Sequence, residues 1–432
     1  MRRENWLFLT VFVLVNVHTL RRLSDTIYLL AYGIAWFLAL AGFKQNLNGL
    51  CRLPKFPVFW ALCAAWAALV TFAFSSAAAA IEGLTRFLFA MPVLFAAYAY
   101  SSSTDSFRTN VRVVVVFFMV AALTIPYQEV MGPVAWMGEA ETRAGLERFG
   151  SLLGSVSSVA VRSSVYLVLC VYAFPRQWGI PAAVIIGSSL MSLSKAGLAS
   201  LVLFLLTLFL IRRRNKDVHL AWSGLLTAAG LLLIVLISPV FLLRVAGSSL
   251  SYGLTFGVAV NSTDATFMQS VIDRLSYFPQ QNWTYFTELK EPLAYLGGAG
   301  FAMGGNTLVP SALVDKAPQA HNQYVELITI FGIPAGIIMV ILLLRLVLAL
   351  RKLSMRNGDL VYTSFYYALI VIMVAALFGG GGFFHPAAAS VIWLAVFVVF
   401  GYSTLNGDVK TAIHPLEGNR RTTYVKGRTT SR

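Results

Sequence analysis

Charge is scarce in this chain. Only 12% of its 432 residues are Asp, Glu, Lys or Arg, about half the share usual in a soluble domain. That shortage excludes an ordinary water-soluble enzyme. Cysteine is nearly absent as well. Cys51, Cys63 and Cys170 stand alone without CxxC spacing, which argues against a disulfide framework or a thiolate zinc site. The chain has no Asp-x-Asp pair, no His/Glu metal spacing, no GxSxG and no GxxxxGK[ST]. Metal-dependent, serine-hydrolase and nucleotide-driven chemistry therefore lack their usual markers. The cluster GGAGFAMGGN at 297–306 has no GxGxxG context of strand and helix and reads as a tight loop.

What fills the chain instead is apolar. It is 58% hydrophobic with a mean hydropathy of +0.74. Runs long enough to cross a bilayer recur from end to end, without the alternation of a barrel, so the expected fold class is an all-α polytopic membrane protein. Twelve spans are expected, over 5–20, 26–43, 56–75, 82–100, 111–130, 155–174, 178–194, 197–211, 220–243, 324–346, 360–379 and 384–403. The first resembles a signal peptide in its order of charges, but no small-residue cleavage motif follows, and it is read as an uncleaved helix.

Charge then sets a direction. With both termini cytoplasmic and the spans alternating, 22 of the 33 Lys and Arg fall on the cytoplasmic side, as the positive-inside rule expects. The positive excess is thus topology and gives no reason to invoke nucleic acid. The chain divides into residues 1–243 with nine spans and a short periplasmic loop at 131–154, a large periplasmic loop at 244–322, three spans over 323–405, and a basic cytoplasmic tail at 406–432. A connection of nearly eighty residues is far longer than a helix–helix turn and is usually functional. Near-helical spacing in DATFMQSVIDRLSYF predicts short helices within 264–291.

Candidate chemistry gathers on the outward side. His321 stands where water, headgroups and a helix N-terminus meet, and imidazole titrates near neutrality, which suits a general base. From position alone, a histidine that merely hydrogen-bonds a neighbour is the competing account. His18, His219, His385 and His414 stand singly and form no metal constellation with it. The outward bases are Arg143, Arg148, Arg162, Lys195, Arg244 and Arg274. Arg162 and Lys195 fall within or at the ends of apolar spans, where charge persists mainly if it pairs or lines a polar cavity. Converging, these bases would form an anion pocket suited to phosphate or pyrophosphate; snorkelling and local pairs with Glu141 or Glu147 are the structural alternatives.

The order of several segments resembles a known family. SLSKAGL, Arg274 ahead of NWTYF, PLAYLGGAGF and AHNQYVELITIFGIPAGI together are similar to the O-antigen ligase and polymerase superfamily, over about residues 143–345. ERFGSLLGSVSS looks like the arginine-led segment of that family, which assigns Arg148. The resemblance implies a GT-C-type glycosyltransferase of the bacterial inner membrane, using neither metal nor cofactor, with a periplasmic active site. Its donor would be a glycan on undecaprenyl pyrophosphate and its acceptor a lipid-linked glycan or lipid A–core. His321 matches the general base, within a His-Asn-x-Tyr motif that includes Asn322 and Tyr324, and Arg274 and Lys195 match the cations that hold the pyrophosphate. Lysine at 195 departs from the arginine usual there and loses the two-point grip on phosphate. The likeness leans towards a repeat-unit polymerase, with a chain-length regulator as an implied partner, over a ligase. A lipid-linked-oligosaccharide transporter is the alternative from another class. Such proteins usually break after span six, whereas here the large loop follows span nine.

Overall fold

The computed structural model describes residues 2–17, 19–44, 55–134, 136–138, 140–143, 146–154, 157–192, 195–214, 272–289, 292–301, 303, 320–378 and 383–406. The expected span over 220–243, Arg244 and most of the tail lie outside them.

The first half of the chain supplies α1 (Arg3–Asn16), a single turn α2 (Leu20–Leu23), α3 (Asp25–Lys44), α4 (Lys55–Phe74), α5 (Ala77–Leu88), α6 (Pro92–Tyr100) and α7 (Thr104–Met131). Strands β1 (Ala140–Arg143) and β2 (Leu146–Phe149) form an antiparallel hairpin. It is followed by α8 (Ser157–Ala173), α9 (Gly179–Met191) and α10 (Lys195–Arg214). A π-helical turn (Asp273–Tyr277) leads into α11 (Phe278–Glu288) and α12 (Pro292–Gly297). Then come α13 (Gln323–Phe331), α14 (Ile333–Asn357), α15 (Leu360–Ala376), α16 (Pro386–Phe400) and a closing 3-10 turn (Tyr402–Asn406).

The chain is predominantly helical, and five stretches are by themselves long and apolar enough to cross a membrane: Asp25–Phe43, Lys55–Ala73, Ala77–Tyr100, Thr104–Met131 and Ile333–Asn357. Five further apolar helices are shorter. Large side chains such as Leu30, Phe37, Leu62, Leu69, Phe72, Val202, Phe209, Ile341 and Leu348 face outwards. A soluble monomer does not tolerate an apolar belt of that extent, so the arrangement suits a membrane-embedded bundle.

Successive long helices run in alternating senses. At one end Asn5 of α1 donates to Asn110 of α7 (2.8 Å), Arg112 of α7 donates to the Ala173 carbonyl closing α8 (2.7 Å), and Ser354 of α14 bonds Thr363 of α15 (2.5 Å). Arg2, Arg3, Lys44, Lys55, Arg108, Arg112, Arg176, the arginines closing α10, Arg351, Lys352 and Arg356 belong to this basic end by sequence position. Arg345, counted with them from sequence, instead stands exposed midway along α14. At the opposite end Asn16 of α1 reaches Ser390 of α16 (3.2 Å), and the hairpin lies beside the close of α7.

Two expected spans are broken. The 82–100 span divides at Phe89–Met91, ahead of Pro92, whose ring nitrogen offers no donor to continue the ladder. The 324–346 span divides at Gly332, which takes φ +87° ahead of Pro334. The hairpin adds strand to a chain expected to be all-α. Finally, the glycine-rich stretch after α12 is packed rather than looped out. Trp66 donates to the Gly297 carbonyl (2.7 Å), the Phe301 amide donates to Thr71 (2.8 Å), and the Ala299 and Gly300 amides bond the Thr329 and Ile330 carbonyls (2.9 and 3.1 Å). Backbone thus lies directly between α4 and α13, and a Cβ at Gly298 or Gly300 would collide with Ile330 or Thr71. Only glycine fits such an approach.

Candidate functional site

Helix α13 begins with a side-chain cap. The Asn322 Oδ1 accepts from the amides of Tyr324 (3.0 Å) and Val325 (3.4 Å), meeting two of the donors that a helix start leaves open. One residue earlier His321 adopts φ +47°, a left-handed conformation that non-glycine residues keep only where the surroundings fix it. Its ring meets that of Phe278 edge-on at 4.8 Å. Phe278 opens α11, and Arg274 stands four residues before it in the π-helical turn. The backbone therefore carries the expected arginine to within one turn of the residue touching the imidazole. Tyr324 donates its hydroxyl to the Met373 carbonyl of α15 (2.9 Å), and Gln323 accepts the Phe383 amide ahead of α16.

A second group forms under the hairpin. Arg148 of β2 is 9% exposed and donates from Nε to the Ser192 carbonyl (3.2 Å), the residue that closes α9. Three positions on, Lys195 opens α10. Gln128 of α7 holds the strand exit by donating to the Gly150 carbonyl (3.0 Å). His385 fixes the other side. Its Nδ1 accepts the Ala387 amide (3.2 Å), so Nε2 carries the proton and donates to the Leu153 carbonyl (3.1 Å). Arg162, 6% exposed, lies one and a half turns into α8. Around it by position are the buried hydroxyls of Ser163, Ser164, Ser188, Ser189 and Ser192, with Ser163 and Ser189 bonded at 3.1 Å. A guanidinium buried at that depth is kept mainly where it pairs or lines a polar cavity.

These two groups join through α16. The path runs from Ser192 to Arg148, through the hairpin to Leu153 and His385, then from Phe383 to Gln323, Asn322 and His321, and on to Phe278 and the Arg274 turn. Arg148, Lys195, Asn322, Tyr324, His321 and Arg274, widely separated in sequence, thereby lie along one end of the bundle, with Arg162 just beneath. Arg143 ends β1 opposite Leu146, and the register sets Glu141 opposite Arg148. Lys195, Arg274 and Arg143 are placed by their backbone alone. Among the described residues no group of His, Cys, Asp or Glu could hold a metal ion.

Sequence reading passes over Gln323, the serines and the anchoring role of His385. The serines carried a usable signal, because several hydroxyls within two adjacent apolar spans are costly unless satisfied. Gln323 carried none; its partner is sixty residues away. Away from these groups, Glu82 of α5 bridges Arg21 of α2 (2.7 Å) and Arg86 of its own helix.

No protein-family model matches this chain, and no curated protein matches it at a significant level.

Proposed function

We propose that the protein is a metal-independent glycosyltransferase that moves a glycan from undecaprenyl pyrophosphate to a saccharide hydroxyl, at the periplasmic face of a bacterial inner membrane. On this reading the chain crosses the bilayer twelve times, and the hairpin end faces the periplasm. The observation that carries it is the path along the hairpin end, which joins the close of α9 and the arginine-bearing hairpin to the His321–Asn322 turn.

The chemistry follows from those residue types. The acceptor oxygen attacks the anomeric carbon, the carbon–oxygen bond to pyrophosphate breaks, and its electron pair leaves with the phosphate oxygen. His321 takes the hydroxyl proton, a contribution of about 10²–10⁴-fold. Arg274, Arg148, Arg162 and Lys195 meet the charge growing on the leaving group, more strongly in a poorly hydrated site than in water. Attack opposite the leaving group inverts the anomeric centre, and product NMR reads that outcome.

Polymerisation of repeat units is favoured over transfer to lipid A–core by likeness of motifs. A reconstituted reaction separates the two: laddering from lipid-linked repeat units alone marks a polymerase, and a single transfer that needs lipid A–core marks a ligase. His321→Ala should lower the rate by about 10²–10⁴-fold without loss of folded protein. Full activity in that variant sinks the general base, and absence of any transfer by the wild type returns the case to a transporter.

A further inference from the structure

Helix α13 carries more polarity than its cap and base require. Asn322, Gln323, Glu326 and Thr329 are all buried, and their spacing sets them along one face. Three have clear employment: Asn322 caps the helix, Gln323 holds the Phe383 amide, and Thr329 bonds the Val325 and Glu326 carbonyls (3.1 and 3.3 Å).

Glu326 is different. It is 1% exposed, and its Oε2 has no hydrogen-bond partner among the described residues. None of the ion pairs found among those residues includes it. A carboxyl withdrawn from water without a partner is expensive, and apolar residues usually replace it when nothing external repays the cost. Helical side chains lean towards the N-terminus of their helix, so this one leans beneath Asn322, towards the His321 turn. Glu326 lies in the first turn of α13, whose cap Asn322 directly follows His321. The companions on its face are amides and a hydroxyl, and no second acid joins it in a metal-binding group. That chemistry fits neutral hydroxyls better than a cation.

We infer that Glu326 is the acceptor-binding group of this site. Its carboxyl accepts hydrogen bonds from ring hydroxyls of the incoming sugar and so presents the attacking hydroxyl to His321. The assignment rests on the glycosyl-transfer reading and deepens it, since that reading needs a base and cations but names nothing that grips the acceptor.

The test uses full-length protein in detergent and two probes: repeat-unit oligosaccharide released from its lipid by mild acid, and undecaprenyl pyrophosphate without sugar. Each ligand raises the melting temperature of a protein that binds it. Wild type should respond to both. Glu326→Leu should melt at or above the wild-type temperature, because an unsatisfied buried carboxyl has been removed. Its oligosaccharide affinity should fall about tenfold or more, while its response to undecaprenyl pyrophosphate stays. Glu326→Gln, which keeps one acceptor oxygen without charge, should fall between. Unchanged oligosaccharide binding in both variants overturns the assignment, as does unfolding of both, which would make the carboxyl structural. A wild type that binds the lipid pyrophosphate but not the sugar sinks Glu326 alone; one that binds neither brings down the transferase itself.

Discussion

Among single side chains, Arg148 does two things at once. It brings a positive charge beneath the hairpin, and it ties β2 to the end of α9 through the Ser192 carbonyl. Arg148→Ala leaves that buried carbonyl without this donor, at a cost of about 1–3 kcal/mol, so thermal unfolding in detergent should shift downwards together with activity. A variant with lowered activity and an unmoved melting point would make the residue a binding group only. The positive charge was legible from sequence; the carbonyl it meets was not, because nothing in SLSKAGL says which strand will lie over it. His321 shows the reverse. Its candidacy came from the sequence, and the structure adds the left-handed backbone and the Phe278 ring that hold the imidazole in place.

At the scale of helices and strands, hydropathy marked the apolar segments well and their interruptions poorly. Helices stand at all eleven expected spans within the described residues. Yet the run ITIFGIPAGII is equally apolar on either side of Gly332, and no count of hydrophobic residues separates α13 from α14. What separates them is conformation: φ +87° at Gly332, with the Leu296 carbonyl set where a Cβ would go. Gly332→Ala should therefore cost about 1–3 kcal/mol for the backbone conformation alone and more for the collision. Unfolding measured against wild type checks this, and an unchanged melting point would mean the break is not enforced there. The hairpin escaped notice for another reason. AETR and LERF are short, charged and poor in β-branched residues, so pairing rather than propensity makes them strands. The packed stretch 297–301 read as a loop because glycine looks the same in a turn and in a close approach.

For the molecule as a whole, the prediction concerns sides. Helix senses alternate, and among the described residues the bases assigned to the cytoplasm collect, apart from Arg345, at the end away from the hairpin. Both described cysteines, Cys63 and Cys170, are buried, and with Cys51 replaced by serine an introduced reporter cysteine can be read against them. Ala78→Cys at the exposed start of α5 should react with a membrane-impermeant maleimide in cells whose outer barrier is permeabilised. Asn357→Cys at the far end of α14 should react only after lysis. The opposite pattern would invert the orientation and remove the catalytic reading, since polymerisation and ligation both need the outer face.

The π-helical turn at Asp273–Tyr277 bears on how such a pocket is tuned. The Phe278 amide reaches back five residues to Asp273, so the chain there holds one residue more than an α-helix would fit into the same turn. Were that surplus to migrate, the position of Arg274 would rotate by about 100° about the axis, while Phe278 stayed seated against the imidazole. A slip of backbone register there would act as a vernier, re-aiming a cation and leaving its neighbour undisturbed.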